Sequence, residues 1–160
     1  MRKIKFRGRT VNGEWLYGNL QVPAVNSVSY YMWDKDKFQR AVDENTIGQY
    51  IGLKDKNGKE IYEGDIIHIK EFANEAFNVD FSYEDIRQLS LDDCKGRLLQ
   101  EYKCIISFID GNMMAKMISK EDCELYISSL FPDMRYSQPI FEFETIGNIH
   151  DNPELTESIE

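Results

Sequence analysis

The sequence predicts a sheet-dominated α+β domain. Three observations carry this prediction: short runs alternate between apolar and polar residues, glycine-containing turns separate those runs, and one stretch has apolar residues at spacings near three and four. Aromatic residues make up 12% of the 160-residue chain, and their rings pack well on a pleated surface. We therefore expect several hairpins, one helical insert and one short additional helix.

The N-terminal third of the chain predicts strands. Apolar and basic residues alternate over 3–7, and the Asn-Gly dipeptide at 12–13 separates this run from a second run that begins at Trp15. Asn-Gly between two such runs is a strong hairpin signal, because both turn positions favour positive φ. A first hairpin is therefore expected across 2–20, and residues 28–33 predict a further strand.

The segment 46–69 gives the clearest local signal, a second hairpin. The turn at 56–59, Lys-Asn-Gly-Lys, is expected to hold Gly58 at positive φ and to join strands near 46–54 and 60–69.

Three glycines in this segment indicate where the backbone bends or lies close to another strand. Gly48 and Gly52 indicate a bulge or the close approach of another backbone. Gly64-Asp65 before a β-branched run is typical of a bend into a long barrel-type strand, because glycine permits the bend and aspartate can cap it.

Residues 71–101 predict a broken helical region. Their eight acidic residues outnumber three basic ones, and two capping-box pairs indicate helix starts. Ser82 is followed by Asp85, and Ser90 by Asp93. The apolar residues with helical spacing are Ile86, Leu89, Cys94, Leu98 and Leu99.

The last third predicts a third hairpin, a short helix and a final strand. Strands over 102–109 and 113–118 flank an Asp-Gly turn. Ser119 and Asp122 form a capping pair before a short helix that Pro132 ends. Its apolar side would hold Cys123, Tyr126, Ile127 and Leu130. Residues 140–146 alternate as the last strand.

Length and composition predict a single domain over 1–150, followed by an acidic, flexible tail over 151–160. Apolar runs are too short to cross a bilayer, and no apolar segment follows the basic N-terminus as in a signal peptide. The three cysteines are widely spaced, which favours reduced thiols in a cytoplasm over a disulfide framework. A cytoplasmic protein is the expectation.

The net charge of -9 is unevenly distributed. Residues 1–9 hold five basic side chains and no acid, whereas residues 142–160 hold six acids and no lysine or arginine. A globally acidic chain repels phosphate backbones, which disfavours general affinity for nucleic acid.

Three blocks of the chain carry a family resemblance: Met1–Arg7 leading into Trp15–Gly18, the long stretch Thr46–Ile67, and Ile146–Leu155. In this order they resemble the YopX family of bacteriophage and prophage proteins, and the middle block is the most specific. The resemblance implies a phage or prophage origin and a sheet-dominated, partly barrel-like fold. The family has no established activity, so no catalytic residue is carried over from it.

Two chemical sites were considered on the residues alone. A zinc site could draw on cysteine and histidine, but neither a Cys-x-x-Cys pair nor a histidine pair at ligand spacing occurs, so core cysteines are expected and no metal or cofactor is predicted. Its candidate ligands are Cys94, Cys104, Cys123, His68 and His150. The carboxylates Glu60, Glu63 and Asp65 could serve as a general acid and base. Turn capping and solubility are the simpler interpretation, and no catalytic residue is assigned.

A nucleic-acid interface is the next alternative. Five basic residues, Arg2, Lys3, Lys5, Arg7 and Arg9, alternate with Ile4 and Phe6, and Lys54, Lys56 and Lys59 cluster at the second hairpin. A basic stripe beside aromatic rings could bind a single strand. The competing interpretation is a solvated strand whose lysines protect a sheet edge.

Large rings gather in or beside the predicted loops: Tyr30, Tyr31, Trp33, Phe72, Phe77, Phe81 and Tyr83. They could form a patch for a host or phage protein, or be buried against a second copy of the chain, and open sheet edges also pair readily. The sequence therefore favours a non-enzymatic protein-interaction module that forms a small homo-oligomer. A single-stranded nucleic-acid binder is the alternative, and a small hydrolase comes third.

Overall fold

The computed structural model describes residues 4–24, 29–33, 38–74, 95–109, 112–118, 124–126 and 140–157. Within these ranges the chain forms eleven strands and a short 3-10 helix, Pro153–Thr156. The strands are β1 Phe6–Thr10, β2 Trp15–Gly18, β3 Leu20–Gln21, β4 Tyr30–Trp33, β5 Gln39–Lys54, β6 Glu60–Tyr62, β7 Asp65–Asn74, β8 Lys95–Ile109, β9 Asn112–Met117, β10 Glu124–Tyr126 and β11 Ile140–Asn148. All of their pairings are antiparallel.

The first sheet closes into a small barrel. Its strand order is β2-β1-β5-β4-β3, and β6 pairs with β5. Only Asn19 separates β2 from β3, so one stretch of chain pairs with β1 at its start and with β4 at its end. Leu16, Met32 and Val42 are buried together inside, because alternate residues of a strand point to opposite faces.

The second sheet has the order β10-β9-β8-β7-β11 and carries the larger core. One of its faces packs against the end of β5 and against β6. The buried residues of this core are Ile51, Ile61, Ile67, Ile69, Cys104, Ile106, Ala115, Met117 and Phe143.

The hairpin between β5 and β6 also holds the two sheets together through main-chain contacts. Lys56 N donates to the Phe143 carbonyl at 2.9 Å, and Thr145 N donates to Asp55 Oδ2 at 3.1 Å. Asp55 Oδ1 accepts from Asn57 N and Lys59 N, which shapes the turn itself. The turn therefore covers part of the outer edge of β11, which would otherwise present unpaired groups.

Burial and hydrogen bonding act in opposite directions on Asp55. Burial alone would raise the pKa of Asp55, but the three backbone N–H donors outweigh burial and hold its pKa below the ordinary 3.8. The buried carboxylate is therefore stabilised as an anion by N–H groups of the turn and of β11.

The second hairpin is confirmed between β5 and β6, but the single strand predicted near 60–69 is divided into β6 and β7, and β7 pairs in the second sheet. Gly58 has φ +79° and Gly64 bends the chain into β7 with the same φ. A side chain at Gly48 would collide with the Glu63 carbonyl, so a second backbone does approach there. Gly52 has φ +93° and lies in the register shift between β5 and β6.

The other predicted strands are also present. The first hairpin pairs β1 with β2, residues 30–33 form β4, and β8 pairs with β9 as the third hairpin. The final strand is two residues longer than predicted at its C-terminal end, since β11 extends to Asn148.

Both helix predictions are wrong where the structure describes the residues. Residues 71–74 belong to β7 and 95–101 belong to β8, so the insert begins and ends in paired strands. Glu124–Tyr126 pairs with β9 as β10 instead of forming a helix. The remainder of each predicted helix, 75–94 and the residues around 124–126, lies outside the described ranges.

The single domain and the flexible tail stay predictions. Asp151 donates its main-chain N–H to Asn148 Oδ1 at 3.0 Å, and the 3-10 helix follows as far as Thr156. Within the described ranges, no helix is long and apolar enough to cross a membrane.

Replacing Gly58 by valine should lower the free energy of unfolding by about 1–2 kcal/mol, because a β-branched residue resists positive φ. No atom lies within 4 Å of the added Cβ, so the cost comes from the backbone alone. Urea unfolding of Gly58→Val measures it, and Gly58→Asn, which tolerates this region, should lose clearly less. Equal losses for the two variants would contradict a left-handed turn residue.

Candidate functional site

Arg7 and Asp65 form a buried ion pair where β1 meets the start of β7. Arg7 Nη1 bonds to Asp65 Oδ1, and both side chains are almost inaccessible, at 4% and 2%. Asp65 Oδ2 accepts from Tyr62 N at 2.8 Å, so the carboxylate also closes the turn between β6 and β7. Both oxygens of the carboxylate are therefore satisfied.

Aromatic rings cover the Arg7 guanidinium. Its Cζ lies 5.0 Å from the centre of the Trp15 ring and 5.5 Å from that of Tyr62. Arg7 Nη2 donates to the Glu63 carbonyl at 2.9 Å, while Nε meets no acceptor among the described residues. The geometry combines a charged hydrogen bond with cation–π contacts, and it fixes the side chain from several directions.

The turn at Glu63–Gly64 joins both sheets. Glu63 N donates to the Gln49 carbonyl of β5, and Gly64 N donates to the Ile106 carbonyl of β8. Ile149 N, just after β11, donates to the Gly64 carbonyl at 2.9 Å. Arg7 and Asp65 thus hold a turn whose backbone groups hydrogen-bond to four segments: β1, β5, β8 and the chain after β11.

Burial raises the pKa of Asp65, and the Arg7 guanidinium and the Tyr62 N–H act against that rise. The pKa of Tyr62 is also raised, by burial and by its hydrogen bond to Glu60. Perturbed groups of this kind occur in catalytic sites and in structural networks alike. Here every polar partner belongs to the scaffold, which favours the structural role.

The basic residues of the first strand lie in ion pairs with acids of other segments. Lys5 Nζ bonds to Glu60, and Arg9 Nη1 lies 3.5 Å from Asp151 Oδ1. Arg7 is buried, so it does not belong to a solvated stripe. Arg2 and Lys3 lie outside the described residues.

The second basic cluster is also partly paired. Lys56 Nζ lies 2.6 Å from Glu144 and 3.4 Å from Glu142, which raises the pKa of Lys56, with Glu144 as the largest contribution. Lys54 and Lys59 are exposed at the same hairpin. Four of the basic residues proposed for a continuous basic face are therefore paired with acids: Lys5, Arg7, Arg9 and Lys56.

The candidate acid–base groups do not converge. Glu60 bonds to Lys5 and accepts from Tyr62 Oη at 2.7 Å, and these contacts lower the pKa of Glu60. Asp65 faces Arg7, whereas His68 Nε2 lies 3.4 Å from Glu101 Oε2 on the neighbouring strand. The prediction that the chain is not an enzyme stays a prediction.

The candidate zinc ligands that the structure describes, Cys104, His68 and His150, do not form a metal-binding group. Cys104 is fully buried in the larger core, as a small apolar side chain would be, and Cys94 and Cys123 lie outside the described ranges. His150 lies against Trp15 with ring centres 5.8 Å apart, and burial lowers its pKa, with Arg7 adding to the effect. In the part of the chain that is described, no three His, Cys, Asp or Glu residues are grouped to hold a metal.

The sequence indicated a bulge or a close backbone approach at Gly48 and Gly52, but not the bulge over 44–47 of β5. Arg7 pairs with Gly48 and Arg9 with Asp43, so four residues of β5, 44–47, lie opposite the single residue Gly8, three more than regular pairing needs. Thr46 Oγ1 fills the gap by accepting from Arg9 N at 2.8 Å and donating to the Asp43 carbonyl at 2.7 Å. The polar run at 43–46 within a strand was the available signal.

Beside the bulge lies a cleft of about 920 Å³. The tip of the first hairpin, the start of β4 and the bulge surround it. Its charged and aromatic lining residues are Arg9, Asp43, Glu44, Tyr30 and His150. The mixed charges indicate a polar cleft with no single ligand type favoured.

Two exposed rings lie on the outside of the barrel. Tyr17 and Trp33 are 55% and 46% exposed because their neighbours Leu16 and Met32 point inward. The Trp33 carbonyl comes close to Gly18, so β2 and β4 bring these rings to the same end of the barrel. Phe38, 68% exposed, precedes Gln39, the β5 partner of Trp33, and successive side chains of an extended chain alternate between faces, so it is not grouped with them.

The remaining rings from the sequence prediction are placed differently. Tyr30 packs against the barrel core, Tyr31 is half-buried, and Phe72 lies beneath Lys95, with 5.4 Å from Nζ to the ring centre. Phe77, Phe81 and Tyr83 lie outside the described residues. We name Tyr17 and Trp33 the aromatic patch.

The family model described as YopX protein matches residues 5–157 of the chain. The chain belongs to the YopX family. The match includes β1, the second hairpin, the turn at 63–65 and the 3-10 helix, so the Arg7–Asp65 junction lies within it. The family resemblance seen in the sequence is therefore confirmed.

This YopX family chain is also similar to the protein EF1440 from Enterococcus faecalis, known from a crystal structure. The two are 24% identical, with a TM-score of 0.47, over 98% of this chain and 100% of the other. Comparison with curated proteins gave no match.

Asp65→Asn should lower the free energy of unfolding by about 3 kcal/mol or more, because it leaves the buried Arg7 charge without its partner. Glu60→Gln is the matched control, since it removes a carboxylate from the partly exposed pair with Lys5 and should cost no more than about 1 kcal/mol. Urea unfolding at neutral pH measures both. Similar losses would contradict the central role of the buried pair.

Asp55 should make the fold sensitive to acid. Its folded pKa lies below the ordinary 3.8, so its stabilisation is fully present above the unfolded pKa and is lost as pH falls through the folded value. Asp55→Asn should reduce stability at neutral pH and flatten the pH dependence below about pH 4. Unfolding titrations from pH 7 to pH 2 measure this, with the exposed Glu44→Gln as control. An unchanged slope in Asp55→Asn would contradict the assignment.

Proposed function

We propose that this YopX family protein is a non-enzymatic protein-interaction module, encoded by a phage or prophage, that acts in the bacterial cytoplasm. The observation that carries the proposal is the aromatic patch. It groups two exposed large rings at one end of a small barrel whose opposite, inward side chains are buried.

The composition of the patch supports a protein partner. Tyrosine, tryptophan and phenylalanine are enriched at protein interfaces, and tryptophan and tyrosine are enriched among the residues that contribute most to binding. Trp33 and Tyr17 are held on paired strands, so little side-chain and backbone freedom is lost when they bind. A rigid strand surface with exposed rings is suited to recognition without chemistry.

The charge arrangement favours a protein over nucleic acid as the partner. Lys5, Arg7 and Arg9 each pair with an acid within the chain, which reduces the positive field of the first strand. The net charge of -9 adds a general repulsion of phosphate. Affinity for a single strand would then depend mainly on the rings and on the exposed Lys54 and Lys59.

The proposal is tested by affinity purification of the tagged protein from its lysogenic or infected host, with and without nuclease. The wild type is compared with Trp33→Ser and with Phe108→Ser, whose ring on β8 is exposed to a similar degree, 42% against 46%. We expect nuclease-resistant partner proteins that wild type and Phe108→Ser retain, and whose recovery falls about tenfold in Trp33→Ser, as hot-spot removal predicts.

Two results would contradict it. Recovery that disappears on nuclease treatment would favour the nucleic-acid alternative. Equal recovery with all three proteins would exclude the aromatic patch as the recognition surface.

A further inference from the structure

Strand β8 has different partner strands along its length. β7 pairs with it from Lys95 to Ile105 and β9 from Cys104 to Ile109, so both sides are paired at Cys104 and Ile105. The last contact with the β9 side is Ile118 N donating to the Lys103 carbonyl at 2.9 Å. From Gly96 to Glu101, β7 is the single partner strand that β8 has among the described residues, so this stretch forms an edge of the described sheet.

This edge carries apolar residues where a protected edge would carry charge. Leu98 and Leu99 are adjacent and are 45% and 41% exposed. Soluble proteins usually protect such edges with lysine, proline or short strands, because exposed backbone groups recruit other strands. Two large exposed leucines on a strand edge with no second partner among the described residues indicate a surface that pairs with another strand.

The residues around Leu99 form a self-complementary series. Read from 97 to 101 they are Arg, Leu, Leu, Gln and Glu. An antiparallel copy of the same strand, aligned on Leu99, brings Arg97 across from Glu101 of the second copy. The two-fold symmetry of such a pairing repeats this contact, so opposite charges meet twice.

We propose that the β8 edge, Gly96–Glu101, is a homodimer interface in which two copies pair antiparallel about Leu99. Strand addition satisfies backbone groups that no second described strand pairs with, and the neighbouring side chains set the register. The interface is separate from the aromatic patch on the barrel, so it adds self-association to the proposed function without using the same residues.

A bulge shapes this edge. Glu71 pairs with Gln100 and Phe72 with Leu98, so Leu99 is an extra residue with no partner on β7. A bulge bends and twists its strand, which projects the edge away from the body of the sheet. Leu99 is therefore available at the centre of the proposed dimer.

Side chains already present can support the charged contact. Glu101 Oε1 lies 3.6 Å from Lys70 Nζ, and its Oε2 lies 3.4 Å from His68 Nε2, both at loose distances. The Glu101 side chain is 43% exposed and can turn towards an arginine that arrives from a second copy. Bidentate pairing with arginine is stronger than either of these contacts.

Light scattering coupled to size exclusion tests the dimer at micromolar concentration. One chain has a mass of 18.8 kDa, so we expect a mass near twice that value for the wild type and for Phe108→Lys, a control on the same strand. Leu99→Lys should be monomeric. A wild-type mass equal to one chain throughout would overturn the proposal.

Charge reversal gives a test that a general loss of folding cannot imitate. R97E alone and E101R alone should each raise the dissociation constant about tenfold or more, since like charges then meet twice across the axis. An equimolar mixture of R97E and E101R restores both opposite-charge contacts and should recover the dimer, as a heterodimer detectable by a size difference between tags. No recovery in the mixture, with both variants folded by circular dichroism, would overturn the register.

Failure here is distinguishable from failure of the proposed function. Loss of the dimer in Leu99→Lys with normal recovery of a foreign partner separates the two surfaces. A dimer that survives both Leu99→Lys and R97E would overturn the β8 edge and leave the aromatic patch unaffected.

Discussion

The buried pair of Arg7 and Asp65 is the constraint on which the rest of the structure depends. Replacing a buried ion pair by apolar residues is often tolerated, but removing one partner leaves an unpaired charge in the interior. Here the pair also fixes the turn at Glu63–Gly64, whose backbone groups bond to β5, to β8 and to the chain after β11. The position of the barrel relative to the second sheet therefore depends on this one charged contact.

That arrangement leaves recognition to surfaces at the periphery. The basic side chains near the junction are already paired within the chain, since Lys5, Arg7 and Arg9 each have an acidic partner. Among the exposed apolar side chains of the described residues are the rings of the aromatic patch and the leucines of the β8 edge. A scaffold of this kind presents shape and apolar area, and the two surfaces can be occupied independently.

Sequence patterns predicted the strands and turns well because their signals are local. Asn-Gly dipeptides and period-two alternation depend on a few neighbouring residues. The helix prediction for 71–101 failed over 95–101 because each bulge in β8 adds one residue, which turns a spacing of two into a spacing of three. Arg7 had no local signal at all, since its burial depends on Asp65, 58 residues away.

Strand β5 extends through both halves of the molecule. Its 16 residues place Val42 in the barrel core and Ile51 in the larger core. The two cores therefore share one continuous strand. Neither core can unfold without exposing buried residues of the other. Amide hydrogens along β5 should consequently exchange only through global unfolding, so that the described part of the chain behaves as one cooperative unit.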